Sequence, residues 1–102
     1  MHEYVKSLVL KNAENTISKE LSDLRDDYKK KGIATILRES LNSLILTAKL
    51  VNPKKILEFG TATGCSGIAL LQACPEATLY TVERYRPAED EALKNFEKFN
   101  VN

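Results

Sequence analysis

The chemistry-bearing residues of this chain crowd into one stretch, Leu57-Glu58-Phe59-Gly60-Thr61-Ala62-Thr63-Gly64-Cys65-Ser66-Gly67. A carboxylate, three glycines and several hydroxyls follow a short apolar run there. Glycines at the tip of a strand let a ligand approach the backbone without meeting a Cβ. The start of the helix that follows offers N–H groups without an intrahelical partner. In open α/β sheets, ligands settle beyond the carboxyl ends of the strands. A second acidic residue, Glu83, lies 23 residues beyond Gly60, at the end of the next apolar run. A carboxylate at about that distance is placed to accept both hydroxyls of a ribose.

Glycine spacing narrows the ligand. Gly60, Gly64 and Gly67 do not fit G-x-G-x-x-G, and Gly64 is followed by Cys65-Ser66 rather than Lys-Ser/Thr. Neither the dinucleotide fingerprint nor the P-loop is present, so the pattern indicates a ligand with ribose but no pyrophosphate. Each residue also has a plainer reading: Glu58 as a cap on the glycine turn, Glu83 as a solvated charge beside Arg84 and Arg86, and Ser66 as a helix N-cap.

The elements that must position these groups change character near Pro53. Before it the chain reads as helix. Val5, Leu8 and Val9 give a short apolar stripe; Ile17, Leu21, Leu24 and Tyr28 then follow at helical spacing. Lys29-Lys30-Lys31 suits the negative end of that helix, and Gly32 the left-handed cap. After the apolar link Ile33-Ala34-Thr35-Ile36-Leu37 comes a third helix, with Leu41, Leu44, Ile45, Ala48 and Val51 on one face. Leu46 and Leu50 broaden that face, which predicts a helix sandwiched between other elements. Asn52-Pro53 ends it.

After Pro53 the pattern becomes βαβα. Ile56–Phe59 reads as a buried strand, apolar on both faces, and residues 65–73 as a helix. Thr78–Val82 reads as a β-branched and aromatic strand. Arg86-Pro87 opens a last helix, proline in its first position, with Ala88, Ala92, Phe96 and Phe99 along one side. The strands are expected to be parallel.

Within this frame, residues 56–66 resemble motif I of the class I S-adenosylmethionine-dependent methyltransferases. The nearest branch is the O-methyltransferase family of the catechol and caffeoyl-CoA type with its bacterial relatives. The similarity runs from about Ile33 to Asn102 and is weaker over the N-terminal helices. It implies a Rossmann-like fold, with residues 1–32 as a helical segment and 33–102 as the first part of the cofactor-binding domain. It further implies S-adenosyl-L-methionine as cofactor, with Glu58, Gly60, Thr61, Gly64 and Ser66 around its methionine end and Glu83 on its ribose. The link around Ile36 and Leu37 falls where the family lines its cofactor and acceptor pocket. Two departures stand out: Cys65 replaces a usual aromatic residue, and Arg84-Tyr85-Arg86-Pro87 follows Glu83 in place of an acidic or small residue.

The family's catalytic domain is about twice as long. By resemblance, this chain has the look of a truncated front half, without the adenine-reading residue, the divalent-metal carboxylates or an assignable general base. The expected reaction is methyl transfer to oxygen of a small or nucleoside-like acceptor; the alternative is an inactive fragment or a self-associating, partner-binding module. An unpartnered apolar strand edge predicts a homo-oligomer.

Composition sets the remaining bounds. The 102 residues suit one domain, and 15 Lys+Arg against 14 Asp+Glu leave a net charge of +1. Residues 1–31 hold seven basic and six acidic side chains, and the rest eight of each, so no basic stripe supports a nucleic-acid partner. No stretch is long and apolar enough to span a membrane, and residues 1–6 lack the marks of a signal peptide. Cys65 and Cys74 read as reduced packing residues of a cytoplasmic protein, and with His2 they are too few for a zinc site.

Overall fold

The computed structural model describes residues 17–101. The first apolar stripe, Val5 to Val9, lies outside the described residues. The element order is α1 (Lys19–Lys30), α2 (Arg38–Val51), β1 (Lys55–Phe59), α3 (Cys65–Ala73), β2 (Thr78–Val82) and α4 (Arg86–Lys98). The βαβα unit expected from the apolar runs is therefore present, and α3 and β2 have the predicted limits. Among the described residues no helix is long and apolar enough to cross a membrane.

α1 begins at Ser18, whose hydroxyl accepts the Leu21 N–H, and ends in a left-handed Gly32 at φ +76°. The Ile33 and Gly32 N–H groups return to the Tyr28 and Lys29 carbonyls, a Schellman closure that gives two C-terminal carbonyls partners. α2 closes on Asn52, also left-handed, immediately before Pro53.

β1 and β2 pair in parallel, with Leu57 opposite Tyr80, Glu58 opposite Thr81 and Phe59 opposite Val82. Among the described residues these two strands make up the whole sheet. The core lies on one side of it. Leu21 and Tyr28 of α1, Leu41 and Ile45 of α2, and Cys65, Ile68 and Ala69 of α3 form one buried cluster, with Phe96 of α4 and its C-cap Phe99 packed against it. α3 is the hub. Gly67 lets it sit close to its neighbours, since a Cβ there would stand 2.9 Å from the Leu79 side chain and 3.1 Å from Phe96.

Three expectations about packing are corrected. β1 is not buried on both faces: burial alternates along it, and Leu57 and Phe59 are 63% and 79% exposed. Side chains in a strand alternate, and the helices cover only the face bearing Ile56 and Glu58. α2 is not sandwiched either. Leu41, Ile45 and Ala48 face the core, whereas Leu50 and Val51 are exposed. Pro87 is the second residue of α4, after Arg86 and the cap Tyr85, a first-turn position where its missing N–H costs no helical hydrogen bond.

Candidate cofactor site

The glycine turn is shaped by backbone torsion and tied to the tip of β2. Gly60 has φ +88° and Gly64 φ +93°, conformations that cost an L-residue strain. Val82 O accepts the N–H groups of Gly60 (2.7 Å) and Thr61 (3.3 Å). A Cβ on Gly60 would meet nothing within 4 Å, so the backbone there stands open. Around the bend lies a cavity of about 250 Å³ lined by Ala34, Thr35 and Ile36 of the link and by residues of the turn, including Thr61, Cys65 and Ser66.

Glu83, not Glu58, takes the capping duty that the plainer reading gave Glu58. Glu58 does not cap the turn. Its Oε2 accepts from the Ser66 hydroxyl (2.5 Å) and its Oε1 from Thr81 (2.8 Å). Ser66 is therefore not an N-cap; that position belongs to Gly64, with no side-chain hydrogen bond. Glu83 is what caps the turn: Oε1 accepts the Ala62 N–H at 2.8 Å and Oε2 the Tyr85 N–H at 3.0 Å. These backbone donors, Tyr85 first and Ala62 second, hold the Glu83 carboxyl below its ordinary value, so it is ionised at neutral pH. The Arg84 N–H adds a smaller third interaction, which leaves the carboxylate about one of its four lone-pair sites for another donor.

The structure thus brings Glu58, Gly60, Thr61, Gly64 and Ser66 together around one bend, with Glu83 facing it from the tip of β2. Glu83 does not line that cavity but borders a second depression, shared with Thr61 and Thr81. Ile36 lines the first cavity as expected, but Leu37 does not: it is 63% exposed and turns toward Arg25 and Arg38. Cys65 and Cys74 are buried free thiols, and burial pushes the Cys65 thiol up.

Two buried polar side chains hold the cavity walls and have no counterpart in the sequence reading. Arg25 is 5% exposed, and its Nε donates to Ile36 O at 2.8 Å, fixing the link. Asn95, also buried, donates from Nδ2 to Thr63 O and to the Tyr28 hydroxyl, both at 2.8 Å. Tyr28 in turn donates to Glu91 Oε1 at 3.0 Å. The glycine turn is therefore fastened to α1 and α4. No sequence signal marked these residues beyond their polarity on otherwise apolar helix faces. Among the described residues, no group of three His, Cys, Asp or Glu is placed to hold a metal ion.

No family model matches the chain. A stretch of 49 residues, 48% of this chain and 22% of the relative, is 41% identical to protein-L-isoaspartate O-methyltransferase 1 of Marinobacter nauticus. Among solved structures, the O-methyltransferase TomG from Streptomyces achromogenes, in complex with SAM, superposes with a TM-score of 0.70 at 26% identity, over 83% of this chain and 40% of that one. A caffeoyl-CoA O-methyltransferase-like protein from Staphylococcus aureus gives a TM-score of 0.82 at 21% identity, over 97% of this chain and 47% of its own. The chain spans less than half the length of each of these proteins. In fold, the described chain is similar to a part, a little under half, of an S-adenosylmethionine-dependent O-methyltransferase.

Proposed function

We propose that this chain carries the S-adenosylmethionine-binding half of an O-methyltransferase. The observation that supports this most is the open bend at Gly60, where a Cβ would meet nothing, set between the Glu58–Ser66 pair and the Glu83 carboxylate. Gly60, Thr61, Gly64, Ser66 and Glu58 would hold the methionine end, and the remaining acceptor capacity of Glu83 would face the ribose hydroxyls. A carboxylate beside a cofactor ammonium favours binding, since charge-assisted hydrogen bonds are about twice as strong as neutral ones. When bound, the cofactor supplies a methyl group on a sulfonium, to be taken by an acceptor oxygen. The chain's own share is to hold the cofactor and fix its orientation, which is where much of the rate advantage of such transfers originates. The acceptor is a small molecule, and the working compartment is the cytoplasm.

Calorimetric titration with S-adenosylmethionine and S-adenosylhomocysteine tests this reading. Binding that weakens about tenfold or more in Glu83→Ala is the expected outcome, as loss of a hydrogen bond to a charged group is worth about 1.5–3 kcal/mol. Wild-type protein that binds neither compound would defeat the reading.

A second reading, self-association, is favoured by the exposed side chains Leu57, Phe59, Tyr80 and Val82 on one face of the sheet. A bare apolar sheet face with unpaired edges pairs readily with another copy. Sedimentation showing one monomeric species at high concentration would remove it.

A further inference from the structure

We infer that Thr81 is a positioning residue that orients the Glu58 carboxylate and sets the direction of the Thr61 hydroxyl proton beside the cavity. The inference rests on the cofactor reading above for its binding readout only.

Glu58 and Thr81 are register partners on neighbouring parallel strands, so their side chains stand side by side on the helix-covered face. Thr81 Oγ1 lies 2.8 Å from Glu58 Oε1 and 2.5 Å from Thr61 Oγ1. An ionised carboxylate only accepts, and a threonine has one hydroxyl proton. Thr81 therefore spends its proton on Glu58, and the Thr61 hydroxyl must donate to Thr81. Ser66 donates to the other carboxylate oxygen at 2.5 Å. The proton chain runs Thr61 to Thr81 to Glu58, with Ser66 closing it from the opposite side.

Two consequences follow. Both Glu58 oxygens are fixed by donors from different elements, β2 and α3, so the carboxylate has a single orientation before any ligand arrives. Thr61 and Ser66, which line the cavity, have their protons committed to Thr81 and Glu58, so toward a ligand these hydroxyls can only accept. These two hydroxyls favour a ligand group that donates hydrogen bonds, such as an ammonium. A strand residue that reads only as β-branched filler in the sequence thereby governs the polarity of the site.

The test combines Thr81→Val, which keeps the shape and removes the hydroxyl, with Thr81→Ser, which restores it. In Thr81→Val the S-adenosylhomocysteine Kd should rise about tenfold, while Thr81→Ser should stay within about twofold of the wild type. Glu58→Gln combined with Thr81→Val should cost less than the sum of the two single effects, because both act through one carboxylate. In the ligand-free protein, the carboxyl carbon resonance of Glu58 should move in Thr81→Val and return in Thr81→Ser. Additive effects, or a Glu58 resonance indifferent to Thr81→Val, would overturn the inference. If the wild type binds no S-adenosylhomocysteine, the cofactor reading falls, and the ligand-free resonance alone decides the role of Thr81.

Discussion

On one face of the β1–β2 sheet, Glu58 accepts from the hydroxyls of Thr81 and Ser66, and Leu79 packs beside Gly67 of α3. On the other, Leu57, Phe59, Tyr80 and Val82 form a surface exposed by more than half. The two faces come from the same ten residues, alternating outward and inward. The covered face carries polar groups because each has a partner; the bare face carries exposed Lys55 and Thr78 at one end and four large side chains, Leu57, Phe59, Tyr80 and Val82, beyond them. In this chain hydrophobicity alone therefore does not report what is inside. On the two strands the partnering of polar groups does, since a buried polar group without a hydrogen bond is costly; in α2, Asn42 is fully buried with no side-chain partner.

Substitutions on either side of the sheet sharpen this contrast. The largest loss is expected for Ile68→Ala, which empties a fully buried site in the core under the covered face; urea denaturation should show about 2–5 kcal/mol. Asn95→Ala leaves the Thr63 carbonyl without its buried donor and should cost about 1–3 kcal/mol by the same measurement. It should also weaken S-adenosylhomocysteine binding, because the turn loses a fastening. Gly60→Ala has room for its methyl group but not the torsion, and should cost about 1–2 kcal/mol. Phe59→Lys on the bare face should change stability by no more than about 0.5 kcal/mol, yet reduce any self-association seen by sedimentation. A large destabilisation there would mean that the face is covered in solution and would break the contrast.

A further effect is electrostatic. Burial works to raise the Asp26 carboxyl, but the Arg38 and then the Arg25 guanidinium outweigh it and hold it below its ordinary value. A depressed carboxylate stabilises the fold above its unfolded value, near pH 3.8, and that contribution is lost as pH falls through the lower folded value. Asp26→Asn should therefore flatten the acid limb of the stability curve below about pH 4. The side chain is 41% exposed, so the change should stay below about 1 kcal/mol and shrink in high salt.

Much of this was legible in the residues. Apolar runs bounded by Pro53, Gly60 and Pro75 located both strands, and the glycine and carboxylate spacing located the bend that Glu83 faces. Arg25, Asn95 and Thr81 were not legible. Their partners are backbone carbonyls or a side chain distant in sequence, Ile36 O, Thr63 O and Glu58, and a polar residue on a helix reads as solvent-facing until such a partner is known. The outward leucine of α2 misled for the converse reason. Leu50 is 88% exposed, and breadth of apolar surface says that a face can be covered, not that it is.

The carbonyl of Val82 takes two N–H groups of the bend, and Glu83, the next residue, takes a third at Ala62. Strand tip and bend consequently travel as one rigid piece, like the jaws of a gauge already set to a width. A guest reaching from one to the other would be sorted by its length, and it would sacrifice little freedom on arrival because the spacing was fixed beforehand.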